Sequence, residues 1–201
     1  MTTTASPGPQ RPIPITRERA GAPAANAAAA RTEFGYARTA CACERCALNC
    51  HFMPGYLIPA DLPRVARLLG FGNVFEFAAR HLVASPGALV MSADRRFRIK
   101  TLVPARRPDG ACVFLDEGDR CRIHEWSPYG CSFFDDHQTR EEADTRSAEG
   151  LRAVHRAWLT GGVYSFVWRA LCVLGRTSPP AEELRAKMKR ACDEQTRAAA
   201  R

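Results

Sequence analysis

The sequence predicts a mainly α-helical fold with a small antiparallel β-element beside an irregular, cysteine-rich core. Three observations carry that prediction. Apolar residues recur at helical spacing within 61–84, 147–174 and 181–199. Only one run, Arg96 to Val103, alternates with period two. Seven of the nine cysteines fall into two groups, at 41–50 and 112–131.

Residues 1–33 are rich in Thr, Ala and Pro and nearly lack large apolar side chains. Such a segment buries too little to offset its ordering entropy, so a disordered N-terminal tail is expected there. A cysteine-cluster domain is expected over 34–175 and a charged C-terminal helix over 176–201. The stretch Cys41 to Cys50, with Asn49 inside it and Pro54-Gly55 after it, predicts a tight irregular loop. Asp61 is the expected N-cap of a first helix, with Val65, Leu68 and Leu69 as its stripe and Gly70 and Gly72 ending it. A second helix is expected over 73–84, capped by Asn73, with Val74, Phe75, Ala78 and Leu82 inward; Ser85-Pro86-Gly87 breaks it.

The alternating run predicts one half-buried strand, with Arg96, Arg98 and Lys100 on one face and Phe97, Ile99 and Thr101 on the other. Cys112–Leu115 and Arg120–Ile123 read as two short strands joined by a turn at Asp116–Asp119, and Trp126–Phe134 as a loop carrying Cys131. Residues 147–174 predict two helices separated at Gly161-Gly162, with Leu151, Val154, Trp158, Leu159, Val163, Phe166, Val167, Leu171 and Val173 as their apolar positions. Ser178-Pro179-Pro180 opens a last helix over about 181–199, with Leu184 and Met188 on its weak stripe.

With 46% hydrophobic and 25% charged residues the composition is that of a globular protein. The net charge of +8 eases approach of an anionic partner, for which the Arg96, Arg98, Lys100 face is the candidate surface. No secretory signal and no membrane-spanning apolar run is visible, so a cytoplasmic location is expected. In a reducing compartment, clustered cysteines point to metal or redox chemistry rather than to disulfides, and an odd total argues against a complete disulfide framework.

Thiolates bind zinc and iron–sulfur clusters because both accept soft sulfur donors. The first group reads Cys41-x-Cys43-x2-Cys46-x3-Cys50 and the second Cys112-x8-Cys121-x9-Cys131. The two-residue gap lets Cys43 and Cys46 reach one metal from a single turn, and Cys50 adds a third local donor. A hairpin would bring Cys112 and Cys121 together, and the following loop would return Cys131. The two groups are therefore expected to meet and share a site. Cys172 and Cys192 stand apart in helical pattern and are expected to pack as small apolar side chains.

The residues Cys43-Glu-Arg-Cys46-Ala-Leu-Asn-Cys50, Leu57 to Arg64, Cys112 to Asp116, Cys121 to Pro128 and Cys131 resemble the YkgJ-type cysteine cluster family. That family is described as chelating zinc or iron, and most members have no assigned activity. The resemblance covers about Cys43 to Phe134 and implies metal-site cysteines at Cys43, Cys46, Cys50, Cys112, Cys121 and Cys131. Two departures stand out. Members end the first cluster in a Cys-Cys pair, where this chain has Asn49-Cys50, so Cys41 is a candidate replacement. Members carry Ile-Tyr-x-x-Arg-Pro near the last cysteines, where this chain has His124 and Ser127.

His51, His124, Asp135 and His137 are further candidate ligands or supporting groups, and Asp136 joins them as a candidate carboxylate beside the metal. The cofactor expected is an iron–sulfur cluster, for which a resemblance to flagellin lysine N-methylases speaks, or Zn2+. The functional expectation is a metal-binding protein in which the metal is structural or redox-active. The alternatives are a metal-dependent modification or redox enzyme and a zinc-stabilised nucleic-acid-binding module.

Overall fold

A computed structural model describes residues 34–38, 41, 43–92 and 95–199. The expected disordered tail at 1–33 lies outside the described residues. The fold class is the predicted one: helices dominate, with two small antiparallel sheets. In chain order they are α1 (Glu44–Phe52), α2 (Asp61–Leu68), α3 (Val74–His81), β1 (Leu82–Ser85), β2 (Leu89–Ser92), β3 (Arg95–Arg98) and β4 (Thr101–Pro104). A 3-10 turn (His124–Trp126) follows, then α4 (Tyr129–Ser132), α5 (Arg140–Thr160), α6 (Val163–Val173) and α7 (Ala181–Ala199). No helix among the described residues is long and apolar enough to cross a membrane.

The core lies between the β1–β4 ribbon and the helices α2, α3 and α6. Leu57, Leu62, Val65, Phe77, Leu82, Leu102, Phe114, Val167 and Leu171 are fully buried there. Tyr164 of α6 joins two layers, donating its hydroxyl to Leu57 O at 2.7 Å and accepting from Leu102 N at 2.8 Å. Trp168 donates its indole N–H to Ser85 O at 2.9 Å. Burying both aromatic bodies while pairing their polar tips is what such side chains require. α7 packs back against α1 and buries Leu184.

Several local expectations are corrected. The 41–50 stretch is helical from Glu44 onward, because its cysteines recur at helical spacing and Pro54-Gly55 lies beyond the helix end. Asp61 is not an N-cap but the first residue of α2, fully buried. Its carboxylate accepts from Ile58 N at 3.0 Å and Tyr129 N at 2.8 Å and pairs with Arg64 at 3.0 Å. Asn73 does cap α3, accepting from Phe75 N at 2.7 Å. Phe77 rather than Phe75 points inward, and the chain leaves the helix at Leu82 to enter β1.

The alternating run divides into two strands of different sheets: β3 pairs with β2, and β4 with β1. β3 is exposed throughout, so Phe97 is not inward. Arg98 pairs with Glu182 of α7 at 3.0 Å, and the Lys100 ammonium lies 4.8 Å from the Trp168 ring. These two cations therefore face protein partners rather than one open strand face. Strands at 112–115 and 120–123 are replaced by isolated bridges, Arg106 with Cys112 and Leu115 with Cys121. The competing attraction is local: Asp116 Oδ1 accepts from Gly118 N and Arg120 N, both at 2.9 Å, tightening the turn. The loop around Cys131 contains α4. α5 starts at Arg140, seven residues before the expected 147, because Thr139 and Glu142 form a capping box. The break at Gly161-Gly162 is as predicted, but Leu159, Val163, Phe166 and Val173 face solvent.

Candidate metal centre

Cys43 is the N-cap of α1, and Cys46 and Cys50 follow at three and seven residues. That spacing puts the three side chains on one stripe of the helix, with successive members one turn apart. α1 therefore offers thiols toward two different neighbourhoods along its axis.

At its N-terminal end two segments converge. Residues 34–38 are held by aromatic packing of Phe34 on Tyr129 and Phe133, with ring centroids 4.7 and 5.5 Å apart, and by Arg38 donating to His124 O. This docking leads the chain to Cys41. On the other side, Gln138 and Arg146 both donate to Phe133 O, at 2.7 and 3.0 Å, and steady the turn before α5. There His137 Nε2 lies 3.3 Å from Cys43 Sγ, and Asp136 N donates to Cys46 Sγ at 3.4 Å. The outcome is an outer group of Cys41, Cys43, Cys46 and His137, whose ligand atoms all lie within 4.8 Å of one another. Among the described residues it is the one set of such side chains drawn together this tightly.

The outer group is electrostatically uneven. The backbone N–H of Cys46, then His137 and Cys41, hold the Cys43 thiol down to about 6. Burial pushes Cys46 up to about 12, against the opposing Asp136 N–H. Asp136 also pairs with the Arg45 guanidinium, and Asp135 accepts from His137 N at 2.9 Å, shaping the turn that presents the imidazole. Tetrahedral zinc, with Zn–S bonds of about 2.3 Å, sets its sulfurs about 3.8 Å apart, so a group this compact fits one ion.

The other four cysteines of the clusters form an inner group. Cys112 donates its backbone N–H to Cys50 O at 2.7 Å, which fixes the 112 turn against the C-terminal half of α1. Cys121 returns through its bridge with Leu115, and Cys131 arrives on α4 with its Sγ 3.8 Å from Gly55 O. A backbone contact makes that last arrival feasible: Gly130 N donates to Tyr56 O at 2.8 Å, and a Cβ on Gly130 would stand 2.3 Å from Tyr56 N. All four thiols line one cavity of about 800 Å³, which Cys41 and Cys46 of the outer group line as well. Burial raises each of them: Cys50 to about 11, Cys112 to about 12, Cys121 upward, and Cys131 well above its ordinary value. Proximity of Cys50, Cys112 and Cys121 adds to the rise at Cys131. No three of these sulfurs are as close together as the donors of the outer group.

Of the six cysteines of the expected shared site, Cys43 and Cys46 lie close to Cys41 and His137, while Cys50, Cys112, Cys121 and Cys131 line a cavity that Cys46 lines too. His124 and Asp135 line the cavity without joining either group, and burial, then the Arg38 charge, lowers His124. His51 turns away, its Nε2 2.9 Å from the Asp119 carboxylate. Cys172 and Cys192 are half-buried and belong to neither group. No donor of the outer group went unnamed in the sequence. The sequence named Cys41 and His137 only as further candidates, and the structure brings their ligand atoms within 4.8 Å of those of Cys43 and Cys46.

A family model matches residues 42–149, more than half of the chain; it is CxxCxxCC, described as "Putative zinc- or iron-chelating domain". Laid on this chain the motif reads Cys43-x-x-Cys46-x-x-Asn49-Cys50, with Asn49 where the third cysteine is written. No curated protein and no solved structure matches it.

Proposed function

The chain belongs to the CxxCxxCC family of zinc- or iron-chelating domains, and from this premise we propose that it is a zinc protein whose ion sits in the outer group. The observation that carries the reading is the mutual approach of Cys41, Cys43, Cys46 and His137 within 4.8 Å. Three thiolates and one imidazole form a donor set that zinc takes in closed, four-coordinate sites. Four protein donors leave no coordination position for a substrate, so the role is structural. The ion ties the chain before α1, the start of α1 and the turn before α5 into one corner. Cys41 and His137 supply donors in a chain that has Asn49 in place of a family cysteine.

The test is metal content after oxygen-free purification. One zinc per chain is expected, lost on Cys43→Ser or on His137→Ala. Thiolate ligands must shed their protons, so binding should release protons and weaken as pH falls. Absence of stoichiometric zinc from the intact protein would sink this reading.

A further inference from the structure

We propose that the outward face of α6 docks on an anionic lipid bilayer, so that the protein rests on a membrane surface. None of the described helices is long and apolar enough to cross it. Nothing in this docking depends on which metal the cysteines hold.

The composition of α6 carries the inference. From Val163 to Val173, Arg169 is the only charged side chain. A helix that is apolar all round belongs in an enclosed place. Here the core covers one side only. Tyr164, Val167 and Leu171 are buried, and the helix packs on β1 and β4. Val163, Phe166 and Val173, three and seven residues apart, line the opposite side and are exposed, with Leu174 just past the helix end. Helix α3 widens this patch through Phe75, also exposed, whose ring meets Phe166 edge-on at 5.6 Å. Apolar side chains scattered singly over a surface need no partner, but a contiguous patch marks a contact surface.

Two features select the occupant. The first is charge. From Gly150 to Ala181 the chain carries Arg152, Arg156, Arg169 and Arg176 and no Asp or Glu. Arg152 and Arg156 are exposed on the stripe of α5 that ends in Leu159, and Arg169 is exposed one turn from Phe166. An apolar face edged by cations fits an anionic lipid surface. The net charge of +8 acts in the same direction and opposes a second copy of this chain on the same face. The second feature is shape. Val173 is 88% exposed, Leu159 74% and Phe166 63%. The walls of a groove shelter one another, whereas these side chains project. Projecting apolar groups enter the headgroup boundary of a bilayer, while a partner helix needs a groove to lie in.

The experiment sediments the full chain with vesicles of phosphatidylcholine alone and of equimolar phosphatidylcholine and phosphatidylglycerol. The anionic vesicles should carry the protein down, the neutral ones far less, and added salt should weaken the binding. Phe166→Ser combined with Val173→Ser should weaken it about tenfold or more. Arg156→Gln and Arg169→Gln should each cost about fivefold. All four positions are exposed, and unchanged helical circular dichroism checks that the variants fold. Phe166→Trp reads insertion directly: its added emission should be quenched by brominated acyl chains. No binding to anionic vesicles at low salt overturns the proposal. Binding that the two serine substitutions leave untouched also overturns it, because charge alone would then hold the protein. A dimer in sedimentation velocity that Phe166→Ser dissociates, in a chain that ignores vesicles, would give the face to a second copy and overturn the bilayer.

Discussion

Cys46 and Cys50 are one helical turn apart on α1, yet they serve neighbourhoods built in opposite ways. Cys46 faces donors delivered by two short segments, one leading to Cys41 and the other presenting Asp136 and His137 at hydrogen-bond range. Its group is half-exposed, edged by carboxylates, and closely spaced. Cys50 faces the cavity together with Cys112, Cys121 and Cys131, which come from the 112 turn, the bridge at 121 and α4, with Arg107 acting on Cys112 and Arg122 and Arg38 on Cys121. In the outer group an ion would supply the cross-link that the loops lack. The two groups should therefore fail differently, and substitutions aimed at the frame should separate them from substitutions aimed at the donors.

The largest effect is expected at Asp61. Its buried carboxylate holds Tyr129 N, the amide that opens α4, and pairs with Arg64. Asp61→Ala leaves that amide without its acceptor and takes the carboxylate from Arg64, which keeps its bond to Ser127 O, so the cost falls toward the lower end of the roughly 3–5 kcal/mol for breaking a buried pair. The urea midpoint should fall accordingly, because α4, which carries Cys131, loses the anchor of its first amide. An unchanged midpoint would mean that Asp61 is not a support of α4.

A somewhat smaller loss is expected at Gly130. Alanine there places a methyl 2.3 Å from Tyr56 N and 2.8 Å from Gly55 C, so backbone must shift. Overpacking of this kind costs about 1–3 kcal/mol. Gly72→Ala, where nothing lies within 4 Å, is the matched control and should be nearly silent. A urea midpoint as unchanged in Gly130→Ala as in Gly72→Ala would refute the close approach of Gly130 to Tyr56 as a support of the fold.

His137→Ala tests the outer group alone. Loss of a direct ligand should weaken zinc by more than the roughly 10–100-fold that supporting residues contribute. Competition with a chromophoric chelator measures this, and His137→Cys should restore most of the affinity. Equal affinity in His137→Ala would remove the imidazole from the ligand set.

The sequence made the helical class, the Gly161-Gly162 break, the Asn73 cap and the donor residues legible, because each is carried by local spacing or by a residue type with one dominant use. How the second cysteine group meets α1 was not legible, since it depends on Cys112 N finding Cys50 O and on Gly130 meeting Tyr56, contacts between residues more than sixty apart. The β-element misled for a related reason. Period two in Arg96–Val103 continues across a change of sheet, and nothing local marks that Lys100 leaves for Trp158 and Trp168. Asp61 was visible as a helix-start residue, but its burial beside Tyr129 was not.

The smallest effect separates the cysteines from the rest of the fold in their response to acid. His81 packs among Phe71, Phe77 and Phe114, and burial, then the Arg80 charge, lowers it to about 4. In the unfolded chain it titrates near 6.5. Between those values the unfolded state binds the proton and the folded state does not, so folding stability falls as pH drops from about 6.5 toward 4. Because the side chain is only partly shielded from solvent, a contribution of about 1–2 kcal/mol is the realistic scale after allowing for screening. Thiolate protonation also weakens a metal protein in acid, but it is common to the intact chain and to His81→Phe. The stability difference between those two proteins, followed from pH 7 to pH 4 by urea denaturation, should therefore move in favour of phenylalanine by that amount. A difference that stays constant across the range would assign the whole acid response to the two cysteine groups.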